Sequence, residues 1–360
     1  MAGVPRDAAQ CVDDPWHPSR VAGIVARMSL DLDRELQVGL DAVRRAMGRC
    51  QLGCEHLLTP DTLTHNERSP VTLAAFASQA IVCSALAEAF PIDPVVGEEG
   101  TGELRQPEQQ AIREAVVQHV KTVVADADEP RVLDWIDRGA ADGTTDRYWT
   151  LDPIDGTKGF LRGEQYAVAL ALLIDHRVAL GILGCPNLAA SRDAKPGAVL
   201  FAVRGRGTWL ADASKPSLAP MRIAPMVDLP ASAARFCESV ESGHSDQSAS
   251  QRIASLLGIT SPPLRMDSQV KYAAVALSQA HIYLRLPTKP GYREKIWDHA
   301  AGAIVVEEAG GQVSDTAGKP LDFTHGRHLE ANPGIVATHG VDHARVVGAI
   351  SQVESESKGA

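Results

Sequence analysis

The sequence predicts an α+β domain followed by an α/β domain, and three observations carry that prediction. Apolar residues recur at helical spacing up to Val124, strand-like runs cluster between Tyr148 and Leu210, and helix and strand alternate beyond a proline-rich segment. In order, residues 1–28 form an extension with Pro5, Pro15 and Pro18 and no clear period. Leu36, Leu40, Val43 and Met47 then stand at i, i+4, i+7 and i+11, the stripe of an amphipathic helix. A second helix is predicted from Leu73 to Phe90, and a third carries Ile112, Val116, Val120 and Val124 on one face. Strands follow at Tyr148–Ile154, Tyr166–Ile174, Val178–Leu183 and Ala198–Val203, with Gly205 and Gly207 turning the chain into Trp209–Leu210. Residues 211–232 hold four prolines and read as a boundary. Beyond it, Gln269–Gln279 reads as a helix, His281–Leu286 as a strand, and Asp298–Ala309 as a helix closed by Gly310 and Gly311. The division expected is an extension at 1–28, an α+β domain at 29–222 and an α/β domain at 223–356.

Composition narrows the function. The 360 residues are 44% hydrophobic and 22% charged, a globular balance. Forty-five acidic against 35 basic side chains give a net charge of −10, which argues against a surface for nucleic acid. The N-terminus lacks the apolar core of a secretory signal. The longest apolar run, Ala167 to Ile174, is far shorter than a membrane span, so neither membrane nor nucleic acid is expected as a partner. Six cysteines are too sparse for a disulfide scaffold and suit a cytoplasmic location. Cys50, Cys54 and His56 lie close in sequence but match no zinc pattern with a second half.

Three acidic motifs remain. The first is Val95-Val96-Gly97-Glu98-Glu99-Gly100, whose two carboxylates between glycines also suit a solvated turn. The second, Leu151-Asp152-Pro153-Ile154-Asp155-Gly156-Thr157, ends a strand with two aspartates and a carbonyl, hard oxygen donors of the kind Mg²⁺ takes. Its Gly156-Thr157 can offer N–H groups and a hydroxyl to a phosphate, although Asp-Pro and Asp-Gly are also plain turn formers. In the third, Glu294-Lys295-Ile296-Trp297-Asp298-His299, Asp298 opens an alanine-rich helix, where aspartate ordinarily caps.

Taken together, the motifs resemble the lithium-sensitive, Mg²⁺-dependent phosphatase superfamily of inositol monophosphatase, fructose-1,6-bisphosphatase and the 3′(2′),5′-bisphosphate nucleotidases. The last group is the most similar, on Ser69-Pro70-Val71-Thr72, the run DPIDGTKGFLRGEQYAVALALL from Asp152, DSQVKYAAVA from Asp267, and YLRLP followed by EKIWDHAAG. The resemblance spans about residues 30 to 350 and implies a two-domain layered α/β/α/β/α sandwich with the active site between the domains. It implies metal ligands at Glu98, Asp152, the carbonyl of Ile154, Asp155 and Asp298, holding two or three Mg²⁺. Four carboxylates in one pocket repel unless cations fill it, which points the same way. The resemblance puts phosphate on the amides of Gly156 and Thr157, with Thr157 also orienting the attacking water, and assigns nucleotide contacts to His244, Ser268, Lys271, Arg285 and Asp298. Lys271 and Arg285 would supply a cation pair for a second phosphate, Lys158 and Arg162 being either further contacts or rim charges.

The implied activity is removal of the 3′-phosphate of adenosine 3′,5′-bisphosphate to give AMP, with the sulfated analogue as a further substrate. An inositol phosphate phosphatase and a non-catalytic phosphonucleotide-binding protein are the alternatives. The chain departs from the family at one place. Relatives carry SPVT-x-x-D-x-x-x-Q, whereas the string from Ser69 to Gln79 has Ala75 at the aspartate position. That aspartate helps to deprotonate the attacking water in the family, so reduced turnover is expected here.

Overall fold

The computed structural model describes residues 31–57, 69–189, 194–213, 219–227, 229–241, 247–287, 289 and 291–359. Asp33–Ala360 form one compact unit. Its elements are α1 Asp33–Leu57, α2 Ser69–Ala89, β1 Val95–Gly97, α3 Gln110–Lys121, α4 Glu129–Asp137, β2 Arg147–Asp155, α5 Thr157–Leu161, β3 Ala167–Ile174, β4 Arg177–Ala189, β5 Pro196–Val203, β6 Gly207–Asp212 and β7 Met221–Arg222. Then come β8 Phe236–Glu238, α6 Gln247–Leu257, β9 Leu264–Arg265, α7 Val270–Ala276, β10 Ile282–Arg285, α8 Ala300–Glu308, β11 Gln312–Ser314, β12 Ile335–Thr338 and α9 His343–Gly359.

The first sheet has the order β1-β2-β3-β4-β5-β6-β7, parallel only at β1–β2. The second runs β11-β12-β10-β8-β9. The change of sheet falls inside the proline-rich stretch. Helices complete five layers. On one side of the first sheet, Gly184 of β4 lies against Val43 and Met47 of α1. On the other, Gly181 lies against Ala301 and Ile304 of α8, so two glycines of opposite strand parity let helices close on both faces. α7 and α8 share a core with both sheets, including Leu183, Leu200, Tyr272, Val305, Tyr283 and Ala337. α6 and α9 cover the outer face of the second sheet, where Ile253, Leu257, Ile350 and Val353 meet Phe236, Leu284 and Val336. The result is the α/β/α/β/α sandwich expected from the sequence.

Several element bounds differ from expectation. α4 was not anticipated, although Asp128 caps it by accepting from Arg131 N at 3.0 Å and Pro130 sits in its first turn. β4 runs on to Ala189. The helix predicted over Asp298–Ala309 begins only at Ala300, after a 3₁₀ turn at Ile296–Asp298, and Gly310 with φ +99° ends it. One helix is a longer apolar stretch than the run Ala167–Ile174 singled out from the sequence. Val71–Ala89 is long and apolar enough to cross a bilayer by length and composition, and 67% of that window is buried inside the protein, against α1, α3, α4 and β2. The side chains of Cys54 and His56 lie outside the described residues; Cys50 is a buried free thiol.

Candidate active site

Glu98 follows β1, whose register beside β2 is continued by Glu98 N donating to Leu151 O at 3.3 Å. The segment is held from α2 by buried Gln79. Its Nε2 donates to Glu99 O and to Ile136 O, both at 2.8 Å, and its Oε1 accepts from Glu99 N at 3.1 Å. A Cβ on Gly97 would sit 2.7 Å from Gln79 Oε1, so the residue before the acid must be glycine for the clamp to close. Arg327 ties this turn to the chain that follows α4, donating to Gly97 O at 2.6 Å and Ala141 O at 2.8 Å.

Asp152 and Asp155 end β2. Three residues apart on a regular strand, they would face opposite sides of the sheet. The register against β3 breaks between them: Asp152 pairs with Ala169 and Asp155 with Ala167, three steps against two. That extra residue is a bulge, and it changes the parity so that both carboxylates enter one cavity. Ser78 Oγ donates to Pro153 O at 2.9 Å inside the bulge, and the N–H of Gln269 donates to Asp155 Oδ2 at 2.6 Å.

Gly156 turns the chain with φ +89° into the single-turn helix α5, leaving Thr157 exposed at its start. Ser268 approaches from the loop before α7, itself at φ +67°, and lies so close that a Cβ on Gly156 would be 2.8 Å from Ser268 Cβ. Lys158 and Arg162 both bond Glu241 at 2.8 Å, and Arg162 also pairs with Asp267. Their charge is therefore spent on neighbouring acids at the rim.

The second half contributes Lys271, Arg285 and Asp298. Lys271 is on α7 but is buried, with Nζ 5.2 Å from the centre of the Tyr283 ring. A solvated helix face is thereby excluded for it. Arg285 ends β10, donates through Nε to Glu294 Oε1 at 2.8 Å, and brings Nη2 to 3.8 Å from Asp298 Oδ2. Asp298 closes the 3₁₀ turn and does not cap α8; His299 occupies the cap position without a side-chain cap bond. The aspartate carboxylate is thus left for the cavity.

These groups line a cavity of about 220 Å³. It brings together Glu98, Asp152, Ile154, Asp155, Gly156, Thr157, Ser268, Lys271, Arg285 and Asp298 from the sequence reading. It adds Lys158, Asp267, Gln269 and Tyr283, which sequence reasoning did not single out as a set. Ala75 does not line it; this buried residue of α2 lies one helical turn before Ser78 and Gln79. His244 lies outside the described residues.

The electrostatics are those of a buried acid cluster that its cations compensate only in part, Lys271 and Arg285 opposing the rise at Asp155 and Lys295 that at Glu98. Burial, followed by the charges of Glu98, Asp155 and Asp298, holds the Asp152 carboxyl well above its ordinary range. Glu98 and Asp155 are raised too, by desolvation first and then by neighbouring carboxylates. Glu99 is pushed up by burial to about 7. Asp152 Oδ1 is buried without a hydrogen-bond partner, a demand that a cation would meet. The donor set is all oxygen, which suits a hard divalent ion. A second cluster, Glu294, Asp298 and His299, has donor atoms within 4.8 Å of one another. Its Glu294 and His299 atoms are engaged by Arg285, Tyr272 and each other, which makes it a brace for the site.

The inositol monophosphatase family model matches residues 31–355. The chain belongs to the inositol monophosphatase family. This is a family of metal-dependent phosphatases that generally use Mg²⁺, and the chain is a phosphoric monoester hydrolase of that family. Among curated relatives, a protein of Schizosaccharomyces pombe named 3′(2′),5′-bisphosphate nucleotidase is 41% identical over 91% of this chain and 98% of its own length. One of the same name from Emericella nidulans is 43% identical over 81% of this chain and 90% of its own. Among solved structures, the Thermotoga maritima IMPase superposes with a TM-score of 0.60 at 19% identity, covering 90% of this chain and 99% of that one. CysQ from Bacteroides thetaiotaomicron does so at 0.57 and 20% identity, covering 87% and 100%. At such identities these structures bear on the family's fold.

Proposed function

We propose that the chain is a 3′(2′),5′-bisphosphate nucleotidase that converts adenosine 3′,5′-bisphosphate to AMP and phosphate, with the sulfated analogue as a second substrate. The observation that carries this reading is the pairing of an acid cluster with two cations, Lys271 and Arg285, in one cavity. A substrate with one phosphoryl group to lose and another to be held needs both. The names of the fungal relatives support the same substrate.

In this reading Glu98, Asp152, the Ile154 carbonyl, Asp155 and Asp298 hold two or three Mg²⁺, from a first domain at 29–222 and a second at 223–356. The bound ions supply Lewis-acid stabilisation of charge developing on the phosphoryl group. The amides of Gly156 and Thr157 hold the phosphoryl oxygens, and the Thr157 hydroxyl orients the attacking water. A bond forms from water oxygen to phosphorus, the bond from phosphorus to the ribose 3′-oxygen breaks, and that oxygen leaves with a proton as the alcohol. Lys271 and Arg285, with Ser268 and His244, retain the remaining phosphate and nucleoside. The buried free thiols Cys50, Cys83, Cys185 and Cys237 suit the reducing cytoplasm proposed as its location.

Ala75 sets the rate. It occupies the position where relatives carry an acid, on the α2 face that meets the Pro153 bulge through Ser78. Phosphate release from adenosine 3′,5′-bisphosphate with Mg²⁺ is expected to rise in Ala75→Asp by about 10²–10⁴-fold, the usual worth of a general base. An unchanged rate would remove Ala75 from the account. Faster release from an inositol monophosphate than from the bisphosphate would overturn the substrate assignment. Tight binding of the nucleotide with no turnover in either form would leave a binding protein.

A further inference from the structure

Arg285 is the cation of the cavity whose orientation depends on a buried chain of partners. Glu294 Oε1 accepts from Arg285 Nε at 2.8 Å, and its other oxygen, Oε2, meets His299 Nε2 at 3.1 Å. His299 Nδ1 in turn meets Tyr272 OH at 2.8 Å. One proton arrangement satisfies the whole chain: Tyr272 O–H donates to Nδ1, Nε2–H donates to Glu294, and Glu294 accepts from Arg285. Every donor then points toward the Glu294 carboxylate. Glu294, His299 and Tyr272 are almost wholly buried, at 3%, 0% and 0% exposed. Tyr272 is fixed from behind by Gly302, where any Cβ would collide with its ring.

Two consequences follow for Arg285. Its Nε edge is committed to Glu294, while the residue still lines the cavity. Its Nη2 lies 3.8 Å from Asp298 Oδ2 and 3.4 Å from Tyr292 OH, so the plane of the fork is set by partners on three sides. A guanidinium held in one plane loses less entropy on binding an anion and can present a fixed bidentate face.

We propose that Glu294, His299 and Tyr272 are positioning residues that hold Arg285 for the phosphate that is not cleaved, and so set the preference for bisphosphorylated over monophosphorylated nucleotides. This rests on the function proposed above. None of the three touches substrate in this scheme; each acts through Arg285.

The test is calorimetric binding of adenosine 3′,5′-bisphosphate and adenosine 3′-monophosphate, with Ca²⁺ replacing Mg²⁺ to slow turnover. Glu294→Gln keeps the shape and removes the charge; Tyr272→Phe removes one hydroxyl and keeps the ring. Glu294→Gln is expected to weaken bisphosphate binding about tenfold or more, the worth of a hydrogen bond to a charged group, and to leave the monophosphate within about twofold. Tyr272→Phe should shift the same ratio in the same direction by a smaller factor. Equal losses for both ligands would mean a structural role or damage to the metal site, and would overturn the proposal. So would a native chain and a Glu294→Gln chain that discriminate equally. A native chain that binds the two nucleotides alike would overturn the function proposed above, and this inference with it.

Discussion

Gly156→Ala tests the junction on which the site turns. The substitution adds one methyl at a residue with φ +89°, and that methyl would lie 2.8 Å from Ser268 Cβ, 3.4 Å from Ser268 N and 3.4 Å from Gln165 O. The left-handed backbone alone costs a non-glycine residue about 1–2 kcal/mol. Forcing a methyl against a packed neighbour costs about 1–3 kcal/mol more. The sum, roughly 2–5 kcal/mol, corresponds to a fall in Tm of roughly 3–7 °C for a chain of this size. Ser268 cannot yield freely, because it is itself held at φ +67° and its Oγ accepts from Val270 N at 3.1 Å. Thermal unfolding followed by circular dichroism in chelator, without metal, reads the effect free of ligand binding. The sharper assay is a double-mutant cycle with Ser268→Gly, which removes the atom that the added methyl would strike. The double variant should recover the packing share, a coupling of roughly 1–3 kcal/mol. Two single effects that simply add would refute the reasoning, as would a Gly156→Ala chain within about 1 °C of the native Tm.

The remaining predictions concern the acid cluster. Glu99 is raised to about 7, and Asp152, Asp155 and Glu98 are raised as well, so the metal-free folded chain binds protons more tightly than the unfolded one. The contribution of these four acids to stability should be complete below the ordinary carboxylate range and fall as pH rises through about 7. Mg²⁺ should flatten that fall. A metal-free Tm that rises between about pH 5 and 7 would contradict the sign. Asp152→Asn removes the carboxylate whose Oδ1 has no partner, and should raise the metal-free Tm. The same variant should lose most of the stabilisation that Mg²⁺ gives, about 2.7 kcal/mol at 100 times Kd in a one-site case, measured by the Mg²⁺-dependent Tm shift.

Much of the fold was legible because the signals were local. The stripe at Leu36, Leu40, Val43 and Met47 marks a helix wherever it packs, and Gly310 and Gly311 stop a helix for reasons internal to the backbone. α4 was missed although Asp128 and Pro130 announce it and Val132, Leu133 and Ile136 stand at helical spacing, because nine residues make little more than two turns and give the period few repeats. At the site, the acids stood out by type and spacing. The residues that hold them did not. Gln79, Arg327 and Gln269 reach Glu99, Gly97 and Asp155 across 20, 230 and 114 positions of chain, and no local pattern relates such pairs.

The sequence alone therefore determined the chemistry on offer: hard oxygen donors at Glu98, Asp152, Asp155 and Asp298, a glycine turn at Gly156, and a net charge of −10 that leaves few cations to spare. The tertiary structure decided where those groups face. A bulge between Asp152 and Asp155 reversed strand parity and put both carboxylates in one cavity. A 3₁₀ turn released Asp298 from capping, burial took Lys271 off the surface, and Glu294 aligned Arg285. Side-chain type is written residue by residue, but direction depends on register and on partners distant in the chain, and only packing brings those together.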